Sequence, residues 1–159
     1  MKVALLAYGL DCPDYNIQVG KELGSFLHKY NVIPCAGGFQ GTFEAIFKNN
    51  LEQGGENLLL IEAKREKDAP KALFSTIETF QDTDQKHNAL VNNCAGAFVI
   101  GGGQGSALLI DKMLLKNRPV IAFKGTQGQA DNNSDPRIYR DFDTVEEGVK
   151  LLIRLTQKL

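Results

Sequence analysis

Short apolar runs alternate with longer amphipathic stretches from one end of the chain to the other, and that alternation leaves few folds open. The runs are KVALLAY (2–8), NVIPCA (31–36), NLLLIEA (57–63), GAFVIG (96–101) and RPVIAFKG (118–125). Their apolar residues are nearly continuous rather than alternating, the pattern of strands buried on both faces. RIYRDFD (137–143) is read as a sixth, short strand. Helices lie between. Val19, Leu23, Phe26, Leu27 and Tyr30 form an apolar stripe at helical spacing, GTFEAIFKNNLEQGG (41–55) has a glycine stop, and 82–94 carries His87, Leu90, Val91 and Cys94 on one face. The last helix opens with a capping box, Thr144 to Glu147, and packs through Val145, Val149, Leu152 and Ile153. Strands that alternate with helices run parallel and connect by right-handed crossovers. The expected fold is therefore α/β: a doubly wound parallel sheet in a three-layer α/β/α arrangement, one domain over residues 1–159.

Two segments fit this pattern less well. KREKDAPKALFSTIETFQD (64–82) leaves a loop, a short strand and a helix open. TQGQADNNSDP (126–136) is polar and turn-rich, and reads as a mobile surface loop or as a lid over a site.

A net charge of -1 supplies no footprint for nucleic acid or an anionic membrane, so any anion site is local and the expected partner is a small molecule. Cys12, Cys35 and Cys94 are an odd number, with no CxxC and no His pair at ligand spacing. That argues against a disulfide framework and a zinc site and favours reduced thiols in a cytoplasmic protein. The opening MKVALLAYGL is too short to span a membrane and reads as a buried strand.

The functional signal is a duplicated glycine turn. AGGFQGTFEAIF (36–47) and IGGGQGSALLID (100–111) share Gly-Gly-x-Gln-Gly followed by a small hydroxyl residue. Gly37, Gly38, Gln40, Gly41 and Thr42 answer to Gly101, Gly102, Gln104, Gly105 and Ser106. Both turns follow a strand and lead into a helix, which places them at the carboxyl edge of the sheet, where open α/β folds bind ligands. Glycine removes the side chain that keeps a ligand from the amides, and the next helix offers unpaired N–H groups at its positive end. A phosphate or carboxylate fits there, with Thr42 and Ser106 as hydroxyl donors. The alternative is a pair of tight turns with no ligand. The usual strand order brings the loops after the first, second and fourth runs to one crevice. Neither turn is a Walker loop, for no Lys follows the last glycine, and Gly101-x-Gly103-x-x-Ser106 meets the dinucleotide fingerprint poorly.

These motifs resemble the Rossmann-like family long labelled lysine decarboxylase-like. It includes the Lonely Guy cytokinin riboside monophosphate phosphoribohydrolases and the molybdenum-cofactor carrier proteins. CPDYNIQVGKELGSFLHKYNVIPCAGGFQGTFEA is similar to the family's opening, with its GGxxGxMEA loop, and NNCAGAFVIGGGQGSALLIDKMLLKNRPVIAF to its PGGxGTxxE strand, loop and helix. The resemblance implies a parallel sheet between helices, a homodimer, and loops that bind the phosphate and ribose of a nucleotide-like ligand. It suggests Gly37, Gly38, Gly41, Gly102, Gly103, Gly105 and Ser106 as contacts, to which the residue reading adds Thr42, Gln104 and Lys86.

The same alignment departs from the hydrolases. Leu108 and Leu109 stand where they carry a Glu pair, Lys86 where they carry an arginine, and Gly101 at their proline. Cleaving an N-glycosidic bond needs a carboxylate near the ribose, which leucine cannot supply. The leading expectation is a protein that binds a nucleotide or other phosphorylated ligand, with catalysis left open. The alternatives are a phosphoribohydrolase with a rearranged acid and an oligomeric cofactor carrier. Glu44 is the candidate rearranged acid, or a residue serving the helix dipole. Lys86 is a ligand contact or a solvated helix lysine, His87 a satisfied packing residue, and Cys12 a thiol facing the crevice. Asp11 and Asp14 hold ribose hydroxyls or cap the first helix, while Cys35 and Cys94 are core thiols. The helix SALLIDKMLLK (106–116) is apolar over most of its circumference, which suggests a second face buried in a homodimer.

Overall fold

The computed structural model describes residues 1–158. The chain runs β1 (Lys2–Ala7), α1 (Asp14–Leu27), β2 (Ile33–Ala36), α2 (Thr42–Glu52), β3 (Leu58–Glu62), β4 (Thr76–Phe80), α3 (Thr83–Asn93), β5 (Ala97–Ile100), α4 (Gln104–Leu115), β6 (Val120–Ala122), α5 (Gly128–Asn132), β7 (Ile138–Tyr139) and α6 (Val145–Thr156). All seven strands are parallel, in the order β4-β3-β2-β1-β5-β6-β7.

Alternate residues of β1 serve two cores, because successive side chains of a strand point to opposite faces. Val3 and Leu5 pack with Val19 and Leu23 of α1, Ile46 and Phe47 of α2, and Val149 and Leu152 of α6. Ala4 and Leu6 face the other way, onto Leu90 and Val91 of α3 and Ile110 and Met113 of α4. The expected three layers follow directly. From β1 the chain first moves outward through β2, β3 and β4, then crosses back to place β5 against the free side of β1. The register pairs Ala4 with Cys35 on one side and with Ala97 on the other. The strand order therefore reverses beside β1, the point where such sheets open a crevice.

The run at 96–101 is thus the fifth strand, not the fourth, because the undecided segment 64–82 supplies β4. Two short 3-10 turns, Ala63–Asp68 and Lys71–Leu73, precede it. β4 is an edge strand with no fully buried residue, so it lacks the continuous apolar run of its neighbours. The segment 126–136 holds the short helix α5 and is tied by hydrogen bonds to the turn after β5. Asp131 accepts from the Gly125 and Gln127 N–H groups at 2.8 and 2.7 Å. The Gln129 and Ala130 N–H groups donate to the Gly102 and Gly101 carbonyls at 2.9 and 3.0 Å. The capping box at Thr144 and Glu147 forms as expected.

On the other face, Gly20 and Gly24 let α1 approach α2 at backbone distance. A Cβ at Gly24 would run into the Ile46 carbonyl oxygen, a backbone atom that cannot swing away. Gly24→Ala should therefore destabilise the fold by about 1–3 kcal/mol, the usual cost of overpacking. Urea titration should show a lower midpoint with the slope unchanged.

Candidate functional site

Both glycine turns leave strands adjacent to β1, and they meet around one cavity of about 200 Å³. Leu5, Leu6 and Ala7 of β1 form its floor. Gly37, Gly38 and Phe43 form one wall, Gly105, Ser106 and Leu109 a second, and Lys86, His87 and Leu90 of α3 the third. The cavity is smaller than the 300 Å³ or so at which pockets for whole drug-sized ligands begin. It has room for one group of a ligand, the remainder lying at the rim.

At that rim α4 begins. Its first i→i−4 bond runs from the Ala107 N–H to the Gly103 carbonyl at 3.1 Å. Among the described residues, no backbone carbonyl accepts from the N–H groups of Gln104, Gly105 or Ser106. Nothing lies within 4 Å of the place a Cβ would take at Gly103 or Gly105, so the approach is open. Gly101 and Gly102 serve the turn instead, with φ of 70° and 94°. The Gly101 N–H donates to Thr126 Oγ1 at 2.8 Å, and a Cβ on Gly102 would meet Ser106 at 2.7 Å.

The first turn divides differently. Gly37 backs onto Lys86, where an added Cβ would stand 3.3 Å from Nζ, and Gly38 backs onto the Phe43 ring. Gly41, at φ 61°, is pressed against the Gly9 carbonyl, and Thr42 is fully buried. Glu44 points away from the cavity, into a groove between α1 and α2, where it accepts from Lys48 at 2.6 Å. Of the residues singled out from sequence, the structure brings Gly37, Gly38, Lys86, Gly105 and Ser106 around the cavity. Gly103 and Gln104 lie exposed at the start of α4, whereas Gly41, Thr42 and Gly102 are packed into the turns. Cys12 is half-buried in the β1–α1 loop and lines no part of the cavity. Asp14 occupies the first turn of α1, and Cys35 and Cys94 are buried.

Lys86 is not solvated. Only 7 % of it is exposed, and its Nζ donates to Glu62 Oε1 at 2.9 Å. Thr83 Oγ1 donates to the same oxygen at 2.9 Å. Burial alone would raise the Glu62 carboxyl; hydrogen bonds from Lys86, from its own backbone and from Thr83 outweigh it and hold the pKa down to about 2. Glu62 escaped the sequence reading because it ends an apolar strand 24 residues before its partner. The only available sign was a carboxylate closing a buried run. His87 also differs from its expected role: it lines the cavity, and its buried Nδ1 has no hydrogen-bond partner. Burial first, then the Lys86 and Lys112 charges, lowers its pKa and keeps the ring neutral at pH 7.

No family model matches the chain, and no curated protein matches it. Solved structures do. The X-ray structure of the structural-genomics protein TM1055 superposes with a TM-score of 0.83 at 24% identity, covering 96% of this chain and 98% of that one. The molybdenum cofactor binding protein of the phototrophic bacterium Rippkaea orientalis gives 0.81 at 14% identity, over 97% and 96% of the two chains. The molybdenum cofactor carrier protein of Chlamydomonas reinhardtii gives 0.79 at 18%, over 98% of each. The chain has the Rossmann-like fold of the molybdenum cofactor carriers. The architecture implied by the resemblance is therefore present along nearly its whole length.

The Glu62 carboxyl titrates lower in the folded chain than in the unfolded one, where the ordinary value is 4.5. Its stabilising contribution is thus whole above about 4.5 and lost as the pH falls toward about 2. Glu62→Gln should lack this part of the acid limb. The stability difference between wild type and variant, read by denaturant titration, should narrow steadily across that window.

Proposed function

We propose that this protein binds a phosphorylated small molecule of the nucleotide or cofactor kind and holds it without turnover, as a carrier in the cytoplasm. One observation carries the reading: Gly105 and Ser106, whose amides no backbone carbonyl takes, line the same cavity as Gly37, Gly38 and Lys86. The anionic group takes the amides, where N–H groups and the helix dipole both favour it. The remaining part of the ligand enters the cavity, whose floor and walls are largely apolar. Neighbours described as molybdenum cofactor binding and carrier proteins support a carrier over an enzyme. So does Leu109, which lines the cavity where the hydrolases of the resembled family carry an acid. The three free thiols support a reducing compartment.

A thermal-shift screen over nucleoside mono-, di- and triphosphates tests the binding. A true ligand at one hundred times its Kd should stabilise the fold by about 2.7 kcal/mol. Gly105→Asp provides the control. A Cβ at this position meets no protein atom within 4 Å, and an aspartate suits the first turn of a helix, so the unliganded fold should keep its Tm. The ligand-induced shift should disappear, because the carboxylate occupies the anion's place. Incubation with AMP should release no free adenine.

A homodimer through α4 belongs to the same proposal. Its outer face exposes Leu108 by 45% and Leu115 by 79%, with Asp111 and Lys112 between them. A two-fold axis midway between positions 111 and 112 sets Leu108 of one copy against Leu115 of the other. The same axis sets Asp111 of one copy opposite Lys112 of the other, so the face is self-complementary in its apolar pattern and charge. Light scattering at micromolar concentration should return a dimer, and Leu115→Glu should return a monomer with unchanged secondary structure.

A further inference from the structure

Lys86 and His87 are the ionisable side chains that line the cavity, and Lys86 is not a free cation. Its ammonium is 2.9 Å from the Glu62 carboxylate, and each side chain is 9% exposed. Glu62 is not part of the lining; it stands behind Lys86 at the end of β3. Its second oxygen is buried without a hydrogen bond, and the nearest other cation, Arg65, is 4.0 Å away on a side chain 44% exposed. A negative group seated against Lys86 would therefore face a buried, incompletely paired carboxylate directly behind it. An uncharged acceptor would meet no such repulsion, because an ammonium has three donors and Glu62 occupies one. The surroundings favour the uncharged group as well, with Leu5, Leu6, Phe43, Leu90 and Leu109 around it. A negative charge pays desolvation there that a neutral ring does not.

We propose that Glu62 is a specificity-determining residue that acts through Lys86. It fixes and neutralises the ammonium, so that the cavity admits an uncharged heteroaromatic ring with an acceptor edge and rejects a negatively charged one. The inference rests on the cavity's being the site of a phosphorylated ligand, and it adds the class of ring that the ligand carries. The phosphate remains at the start of α4, and the ring hydrogen-bonds to Lys86 over the apolar floor.

The test compares nucleotides that differ in ring charge while sharing the ribose phosphate. Uridine and orotidine monophosphate form one pair, inosine and xanthosine monophosphate the other, titrated calorimetrically at about pH 8, where the second member of each pair carries a negative charge on its base: a carboxylate on the orotate ring, a deprotonated ring nitrogen in xanthine. Wild type should prefer the neutral member by about tenfold or more, equivalent to about 1.4 kcal/mol. Glu62→Gln keeps the shape and the hydrogen bond to Lys86 but removes the opposing charge, and should narrow the preference to about threefold or less. Glu62→Asp restores the charge and should restore the preference, which a purely structural role for Glu62 would not do. Equal binding of both members by wild type overturns the proposal without any variant. A preference left unmoved by Glu62→Gln overturns it too. Binding that survives Gly105→Asp, or no binding of any of the four, overturns the phosphorylated-ligand reading and this inference with it.

Discussion

Parallel pairing of β1 with β2 on one side and β5 on the other fixes the distance between the two glycine turns before any side chain is considered. Neighbouring strands lie about 4.8 Å apart, so the ends of β2 and β5 stand roughly 10 Å from each other across β1. The loop after β1 fills part of that interval and becomes the surface on which both turns rest. Gly41 is packed on the Gly9 carbonyl, and Gly101 on the Tyr8 ring. Side chains at those positions would push the turns outward and open the cavity between them. The glycines that resemble a ligand-binding signature are therefore in part a packing signature, and the geometry of the proposed site depends on it.

The two turns are nearly identical in sequence and unlike in use. Gly41 and Gly105 occupy corresponding places, yet the first is enclosed by backbone and the second faces open space. Thr42 is sealed with its hydroxyl unpaired, whereas Ser106 lines the cavity. The second turn brings Gly105 and Ser106, at the start of α4, to the cavity; the first contributes wall, through Gly37, Gly38 and Phe43. This asymmetry favours the proposed single anion position with an adjoining cavity over a pair of equivalent phosphate cradles.

Those distinctions mark what was legible from sequence. Strands buried on both faces wrote themselves as apolar runs, and the capping box at Thr144 and Glu147 as a local spacing, so their places could be read directly. β4 could not be, since Thr76 and Glu78 on an edge strand need no apolar neighbours. The pinning of 126–136 rests on Asp131 bonding to two loop amides and on α5 donating to the β5 turn, contacts without sequence periodicity. The pairing of Glu62 with Lys86 joins the end of β3 to α3 through space. Pairs of this kind arise from topology, and a lysine on a polar helix face gives no sign that its partner waits beneath it.

A buried ion pair is weak evidence for stability, because stripping water from both charges costs about as much as their attraction returns, and an apolar pair of similar volume often serves as well. The location of Lys86 in the wall of a cavity that both turns line, with Glu62 behind it, favours a role in what that cavity accepts. The pair does not restore the acid missing at Leu109. A general base works best with a pKa near the working pH, and a carboxyl held down to about 2 has almost no affinity for a proton at neutrality. Tied to Lys86 and Thr83 behind the lining, Glu62 is also poorly placed to reach a ribose carbon. The same hydrogen bonds that make this carboxylate a fixed charge for discriminating ligands disqualify it from the proton transfer that hydrolysis would require.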